Sequence, residues 1–388
     1  MNSVPQDLFS YAVDMFRQLH MYPEIGFELP KTAALVAKEL ESMGISCTDR
    51  YGKCSVVAQI GNREDVPTLA IRADMDALPV SEVVDVPYAS RHEGIMHACG
   101  HDSHTAILLA VAKVLKQREK DLPCNVRLLF QPSEEGAISG AKMMVENGCL
   151  DGVNAVICTH TEATMDANTI GVCAGDYMAA CIPIKLCFHG ISSHATLPEN
   201  GVDAIAMAVE AYGKLKEMVK HEAQNRTYIW SVGQFTGGEV HNVICDQTTL
   251  LISFRYYDEA FAMRVMEKAR IICQEVADSY GGSMELEWHI STGAVHNDEK
   301  MTQQVCRTVE ALDGIKLVQM PQKKSSEDFA WYLQKVPGVI FRFGSGNRAK
   351  GWTATAHRPD FRVDEEGMKA AILTFVNFAL NYDENNVN

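Results

Sequence analysis

The tightest constraint on this chain is what stands at the ends of its strand-like runs. A run over 68–73 passes into Arg72-Ala73-Asp74-Met75-Asp76-Ala77-Leu78-Pro79, one over 125–130 into Gln131-Pro132-Ser133-Glu134-Glu135-Gly136, and one over 155–159 into His160. Another strand is predicted over 55–60. Helical spacing is predicted over 8–19, over 32–43 with Gly44 as its stop, over 103–116, and over 137–146 with Gly148 beyond it. Such alternation implies an α/β fold, a sheet covered by helices. Open α/β sheets gather functional groups at the carboxyl ends of their strands, where these polar residues fall.

The middle of the chain changes rhythm. Strands are predicted over 182–188, 227–235, 248–254 and 284–289, with helices over 201–221 and 259–280. The order β-α-β-β-α-β is the ferredoxin-like pattern. It divides the chain into 1–176, an inserted α+β unit over 177–291, and a return to α/β over 292–388. The return has helices over 300–312, 326–335 and 364–381 and a strand over 339–343. A polar tail from Asp383 is expected to fray.

With 388 residues and 47% apolar content, the chain is long enough for two ordinary cores. A net charge of −15 argues against nucleic acid or an anionic membrane as partner. No apolar run is long enough to span a bilayer, and the first residues lack a signal-peptide layout, so a cytoplasmic location is the expectation. The 12 cysteines are scattered with no CxxC pair, as in a reducing compartment.

One segment stands apart: His97-Ala98-Cys99-Gly100-His101-Asp102-Ser103-His104-Thr105-Ala106. Gly100 permits a sharp turn that aims Cys99 and His101 at one point. With the Glu134-Glu135 pair and isolated downstream histidines, it reads as a metal site with a carboxylate base beside it. A structural zinc site is the wrong pattern, because such sites are closed Cys/His sets at short spacing. One thiolate with several imidazoles and a carboxylate suits zinc, manganese, cobalt or nickel. Calcium and magnesium want more oxygen.

Several of these motifs resemble the N-acyl-amino-acid amidohydrolases, in the branch with hippurate hydrolase and the auxin-conjugate hydrolases. They are Leu19-His20-Met21-Tyr22-Pro23-Glu24, the runs at Arg72, His97 and Gln131, Gly190-Ile191-Ser192-Ser193-His194-Ala195, Asn242-Val243-Ile244, Ser326-Glu327-Asp328-Phe329 and His357-Arg358-Pro359-Asp360-Phe361. The resemblance implies a metallopeptidase-type catalytic domain with a mostly parallel sheet, interrupted by a lid or dimerisation domain. It implies two divalent ions per subunit, manganese or zinc first, on Cys99, His101, Glu135, His160 and His357. Glu134 becomes the general base, and Asp76 orients a ligand or supports the base. Asp74 has a similar, weaker claim, and both aspartates are alternatively caps of the loop to Pro79. His194 is implied to stabilise the oxyanion, often across a dimer interface. Asn242 and Arg255 are implied to bind the substrate's carboxylate or carbonyl, Arg255 being equally readable as a surface salt-bridge partner. The substrate is then a small N-acyl or N-aroyl amino acid, and the assembly a homodimer. A dipeptidase or carboxypeptidase, or an inactive binding protein of the same fold, is the alternative. Two departures from the pattern stand out. Glu162 falls where most relatives have a nearby proline and adds a carboxylate close to His160, and Ser325 replaces a glycine before Ser326.

Overall fold

The computed structural model describes residues 1–384, so positions 385–388 of the polar tail lie outside the described residues. The chain forms two compact units. One comprises Met1–Tyr177, His296–Gln322 and the residues from Asp328 onward; the other comprises Met178–Val295 with Lys323–Glu327.

The first unit is built on an eight-stranded mixed sheet. In spatial order its strands are Cys47–Thr48, Val56–Ile60, Asn125–Gln131, Thr68–Asp74, Ala155–Asp166, Gly338–Gly346, Thr169–Val172 and Lys316–Gln319. The four strands from Asn125–Gln131 to Gly338–Gly346 run parallel. Thr68–Asp74 is buried along its whole length, as expected of a central parallel strand covered on both faces. The helices Gln6–Met21, His101–Gln117 and Gly367–Leu380 share one apolar core with the sheet. Among the described residues, no helix is long and apolar enough to cross a membrane.

Register decides what meets at the sheet's carboxyl edge. Asp74 pairs with Gln131, and Arg72 pairs with Cys158. Successive residues advance together on parallel strands, so Asp74, Gln131 and His160 finish level with one another.

The strands Cys47–Thr48, Thr169–Val172 and Lys316–Gln319 are absent from the sequence expectation, and three differences in the bounds of expected elements bear on the site. The strand predicted to stop at 159 continues as Ala155–Asp166, because Gly338–Gly346 goes on pairing with it, Arg342 opposite His160. The helix predicted over 137–146 starts at Gly140, where Ser139 caps it by accepting the Lys142 N–H. The helix predicted over 326–335 shrinks to Ala330–Leu333. Its first residues are held elsewhere: the Asp328 carboxylate accepts from Arg72, Gln131, Ser139 and the Ala141 backbone.

The second unit is a four-stranded antiparallel sheet ordered Ser283–Trp288, Ala180–His189, Gln247–Tyr256, Ile229–Gly237. In chain order this is the fourth, first, third and second strand of the β-α-β-β-α-β run. Helices Ala204–Ala223 and Glu259–Tyr280 share its core, capped by Asp203 and Asp258.

Candidate metal centre

Gly100 sits at φ +86°, a left-handed conformation that caps helix His101–Gln117, and a Cβ there would press on the Thr161 side chain. The turn needs glycine on both counts. It brings Cys99 and the first helical residue, His101, to the same point. His101 Nδ1 lies 2.9 Å from the Asp76 carbonyl. A carbonyl only accepts, so Nδ1 carries a proton, which leaves Nε2 as the nitrogen able to ligate. That Nε2 is buried without a hydrogen bond, 4.0 Å from both Glu134 Oε2 and Glu135 Oε1. His160 repeats the device. Its Nδ1 donates to the Thr161 carbonyl at 2.8 Å, and its Nε2 faces Cys99 Sγ at 3.3 Å.

His357 completes the set. Its Nε2 stands 3.0 Å from Glu135 Oε1, an oxygen otherwise buried without a well-formed hydrogen bond. His357 is itself left-handed at φ +70°, held there by its N–H to the Ala98 carbonyl at 2.8 Å. Ser133, just before the glutamate pair, is left-handed too at φ +52°. Non-glycine residues in that region cost free energy and gather at functional sites.

The ligand atoms form overlapping groups, each within 4.8 Å: Cys99 with His101 and His160, Cys99 with Glu135 and His357, and His101 with Glu134 and Glu135. Cys99 belongs to two of them, and together the groups offer donors enough for two ions. The donor set passes a chemical test for a divalent metal. Buried polar atoms without partners are costly, and here they are orphaned together on groups that ligate zinc- or manganese-like ions. Burial pushes the Cys99 thiol up to about 12, so a thiolate at this position calls for a cation beside it. Burial, helped by the charge of Arg342, holds His160 well below the ordinary imidazole range and keeps it in the ligating form. Against its own burial, Glu135 is held below the usual carboxyl range by His357 and His101.

A rigid platform lies under the ligands. Asp76 accepts the backbone N–H of Glu134 at 2.9 Å and of Glu135 at 3.1 Å, and its carboxylate is 3.4 Å from His101 Nδ1. Buried Arg72 donates to Gln131, Asp74 and Asp328. Asp74 in turn meets His104 Nδ1 at 2.6 Å, and His104 Nε2 accepts the Thr161 N–H at 2.9 Å. His104 and Asp328 stand in motifs the sequence singled out, yet no role fell to them. His104, three residues beyond His101, shares its helix face, a spacing that could have marked it. Glu162 accepts from the Thr164 backbone and hydroxyl and joins none of these clusters.

His194, Asn242 and Arg255 belong to the second unit. Two loops bring the first pair together: Ala195 N–H donates to the Asn242 carbonyl at 3.0 Å, and His194 bridges to Val243. His194 is exposed, and its Nδ1 accepts the Thr196 N–H at 3.2 Å. Nδ1 also lies 2.8 Å from the Thr196 hydroxyl, and both contacts leave Nε2 clear. Arg255 Nη1 donates to the Lys324 carbonyl and the Ser326 hydroxyl.

Residues 70–381 match peptidase family M20/M25/M40. The chain belongs to that family. It is 35% identical over 350 residues to the N-acetyl-L-cysteine deacetylase of Bacillus subtilis (strain 168), covering 90% of this chain and 82% of that protein. To the IAA-amino acid hydrolase ILR1-like 4 of Arabidopsis thaliana it is 34% identical over 367 residues, covering 93% and 83%. Among solved structures, the Bacillus subtilis YXEP protein, described as a dinuclear metal binding peptidase from the M20 family, superposes with a TM-score of 0.85 at 32% identity, covering 97% of this chain and 98% of that one. The chain is thus an M20-family enzyme, a metal-dependent amidohydrolase on a dinuclear metal-binding fold.

Proposed function

We propose that this M20 enzyme hydrolyses the amide bond of N-acyl or N-aroyl amino acids, releasing a carboxylic acid and a free amino acid. The observation that carries the reading is the pairing of roles at Glu134-Glu135. Glu135 groups with both Cys99 and His357, whereas Glu134 shares only the group with His101 and Glu135 among the five proposed ligands, and one carboxylate, Asp76, fixes both backbones. The names of two relatives, a deacetylase of N-acetyl-L-cysteine and a hydrolase of IAA-amino acids, support the substrate class.

Cys99, His101, Glu135, His160 and His357 would hold two divalent ions, manganese or zinc first, with cobalt or nickel also compatible. Bound there, the ions supply Lewis acidity to the scissile carbonyl and lower the pKa of the attacking water. Glu134 takes the proton from that water and passes it to the leaving nitrogen. Asp76 keeps Glu134 and Glu135 in register for this division of labour. The His194 Nε2 proton is offered to the developing oxyanion. Asn242 and Arg255 receive the substrate's carboxylate and carbonyl, Arg255 through the donors left over from Ser326 and Lys324.

His194 lies in the second unit, so its use requires closure of that unit or a histidine lent by a partner subunit. We favour a homodimer formed through the second unit. The strand Ile229–Gly237 is an edge, paired on one side only. Helix Ala204–Ala223 exposes Ile205, Val209 and Tyr212, one face at helical spacing, and Phe235 is exposed on the edge strand. Long unpaired edges and contiguous apolar patches mark association surfaces.

The test is a side-by-side assay of metal-loaded protein on acyl-amino acids and dipeptides with unmodified amino termini. Preferential turnover of the acyl-amino acids supports the reading. Preferential turnover of dipeptides transfers the same machinery to a dipeptidase or carboxypeptidase.

A further inference from the structure

The metal centre is lined by carboxylates, imidazoles and a thiol, and none of its motifs says what the acyl group looks like. Two residues outside it do. Among the described residues of the first unit, only Tyr22, Val83 and Ile138 are large apolar side chains left exposed, and Ile138 at 71% and Val83 at 68% are the most exposed of their kind among all the described residues. Isolated exposed aliphatics are ordinary on protein surfaces. These two differ in where they are fixed.

Ile138 is the third residue after Glu135, so the two Cα atoms are at most about 11 Å apart. Its loop is closed on itself. The Ser133 hydroxyl donates to the Ile138 carbonyl at 2.7 Å, and Gly140 N–H donates to the Ser133 carbonyl at 2.9 Å. Glycine is required at Gly140, where a Cβ would strike the Pro132 carbonyl, and a Cβ at Gly136 would displace the Ser133 hydroxyl that makes the first of these bonds. The loop that sets the glutamate pair therefore also holds Ile138 in one place, with its side chain in solvent. Val83 is tied to the segment that carries His357. Its N–H donates to the Pro359 carbonyl at 3.0 Å, and Pro359 follows His357 by two residues, at most about 7 Å between Cα atoms. Glu135 and His357 are the ligands that touch, at 3.0 Å. An exposed aliphatic residue is thus anchored on or against the segment that carries each of them.

From this placement we infer that Ile138 and Val83 are specificity-determining residues, forming apolar walls for the acyl group. The substrates would be amino acids bearing a medium-length aliphatic or aromatic acyl group in preference to acetyl. The inference rests on the proposed N-acyl-amino-acid reading and adds the acyl class to it. A rigid, exposed aliphatic gains from covering apolar substrate surface, and the gain grows with each methylene added.

The experiment measures kcat/KM of the manganese-loaded enzyme for N-acetyl, N-octanoyl and N-benzoyl derivatives of one amino acid, then for one acyl group on alanine, leucine and glutamate. It is repeated on Ile138→Ser and Val83→Ser, both at exposed positions. The expected result is a wild-type preference for octanoyl or benzoyl over acetyl of about 10-fold or more, with that ratio falling about 3- to 10-fold in each variant. The inference is overturned if acyl-amino acids are hydrolysed with no acyl preference, if both variants keep the wild-type ratio, or if the variants change discrimination among amino-acid side chains instead. Failure to hydrolyse any acyl-amino acid, with dipeptides turned over, would reject the functional reading and the inference with it.

Discussion

The carboxylate of Asp76 accepts the backbone N–H of Glu134 at 2.9 Å. The neighbouring oxygen accepts from Glu135, so one side chain sets the position of both glutamates without occupying a ligand position in any cluster they join. Asp76→Ala removes both acceptors and the carboxylate beside His101. Metal affinity should weaken about 10- to 100-fold, with kcat falling as well. Asp76→Asn, which keeps one acceptor oxygen, should recover part of both. Equilibrium metal titration with steady-state kinetics checks this; an alanine variant with wild-type metal affinity and kcat would leave Asp76 only a loop-capping role.

Glu134→Gln keeps the shape of the side chain and removes its basicity. Turnover should drop at least about 100-fold, mainly in kcat, with metal content unchanged by elemental analysis. Loss of metal instead would show that Glu134 is a ligand and that the roles of the two glutamates need exchanging.

His194→Ala should lower kcat by about 100-fold or more, the scale of a lost oxyanion donor, and leave metal content intact. If the histidine is lent across a dimer, mixing His194→Ala with Glu134→Gln subunits restores part of the activity, since one site of each heterodimer has an intact base and an intact histidine. A monomer in solution, or no recovery on mixing, leaves closure within one chain as the only route.

His20 offers a pH test outside the set of proposed ligands. It is buried, with Nδ1 2.6 Å from Asp102 and Nε2 3.2 Å from Glu82. Burial opposes its charge, but the two carboxylates prevail and raise its pKa from 6.5 to about 9. A pKa raised by folding means the folded state binds the proton more tightly, so this contribution is complete below pH 6.5 and is lost as pH rises through 9. The loss is on the order of 3 kcal/mol. Urea unfolding at a series of pH values should show stability declining between pH 6.5 and 9, with a shallower decline in His20→Gln. Identical slopes in the two proteins would show that His20 does not carry the dependence.

Cys99 and His101 could be paired from the sequence because one glycine turn makes them neighbours, and Glu134 and Glu135 because they follow a strand directly. The platform was harder to see. Arg72 and Asp328 meet at 2.9 Å although 256 residues separate them, and nothing local in either segment states that contact. The same physics explains the strand through His160 and the shortened helix near Ala330. In each case a partner distant in sequence, Gly338–Gly346 or the Arg72 network, overrides the local signal. Ile138 reads in sequence as an early residue of a predicted helix; only the hydrogen bond from Ser133 reveals it as a fixed, exposed position.

The most direct test of the account is a metal titration of activity. Protein stripped with a chelator is supplied with manganese or zinc in steps, and hydrolysis of an N-acyl amino acid is followed against bound metal. The donor groups sharing Cys99 predict no turnover in the metal-free protein and full turnover near two ions per chain. Full activity in metal-free protein would contradict the mechanism outright.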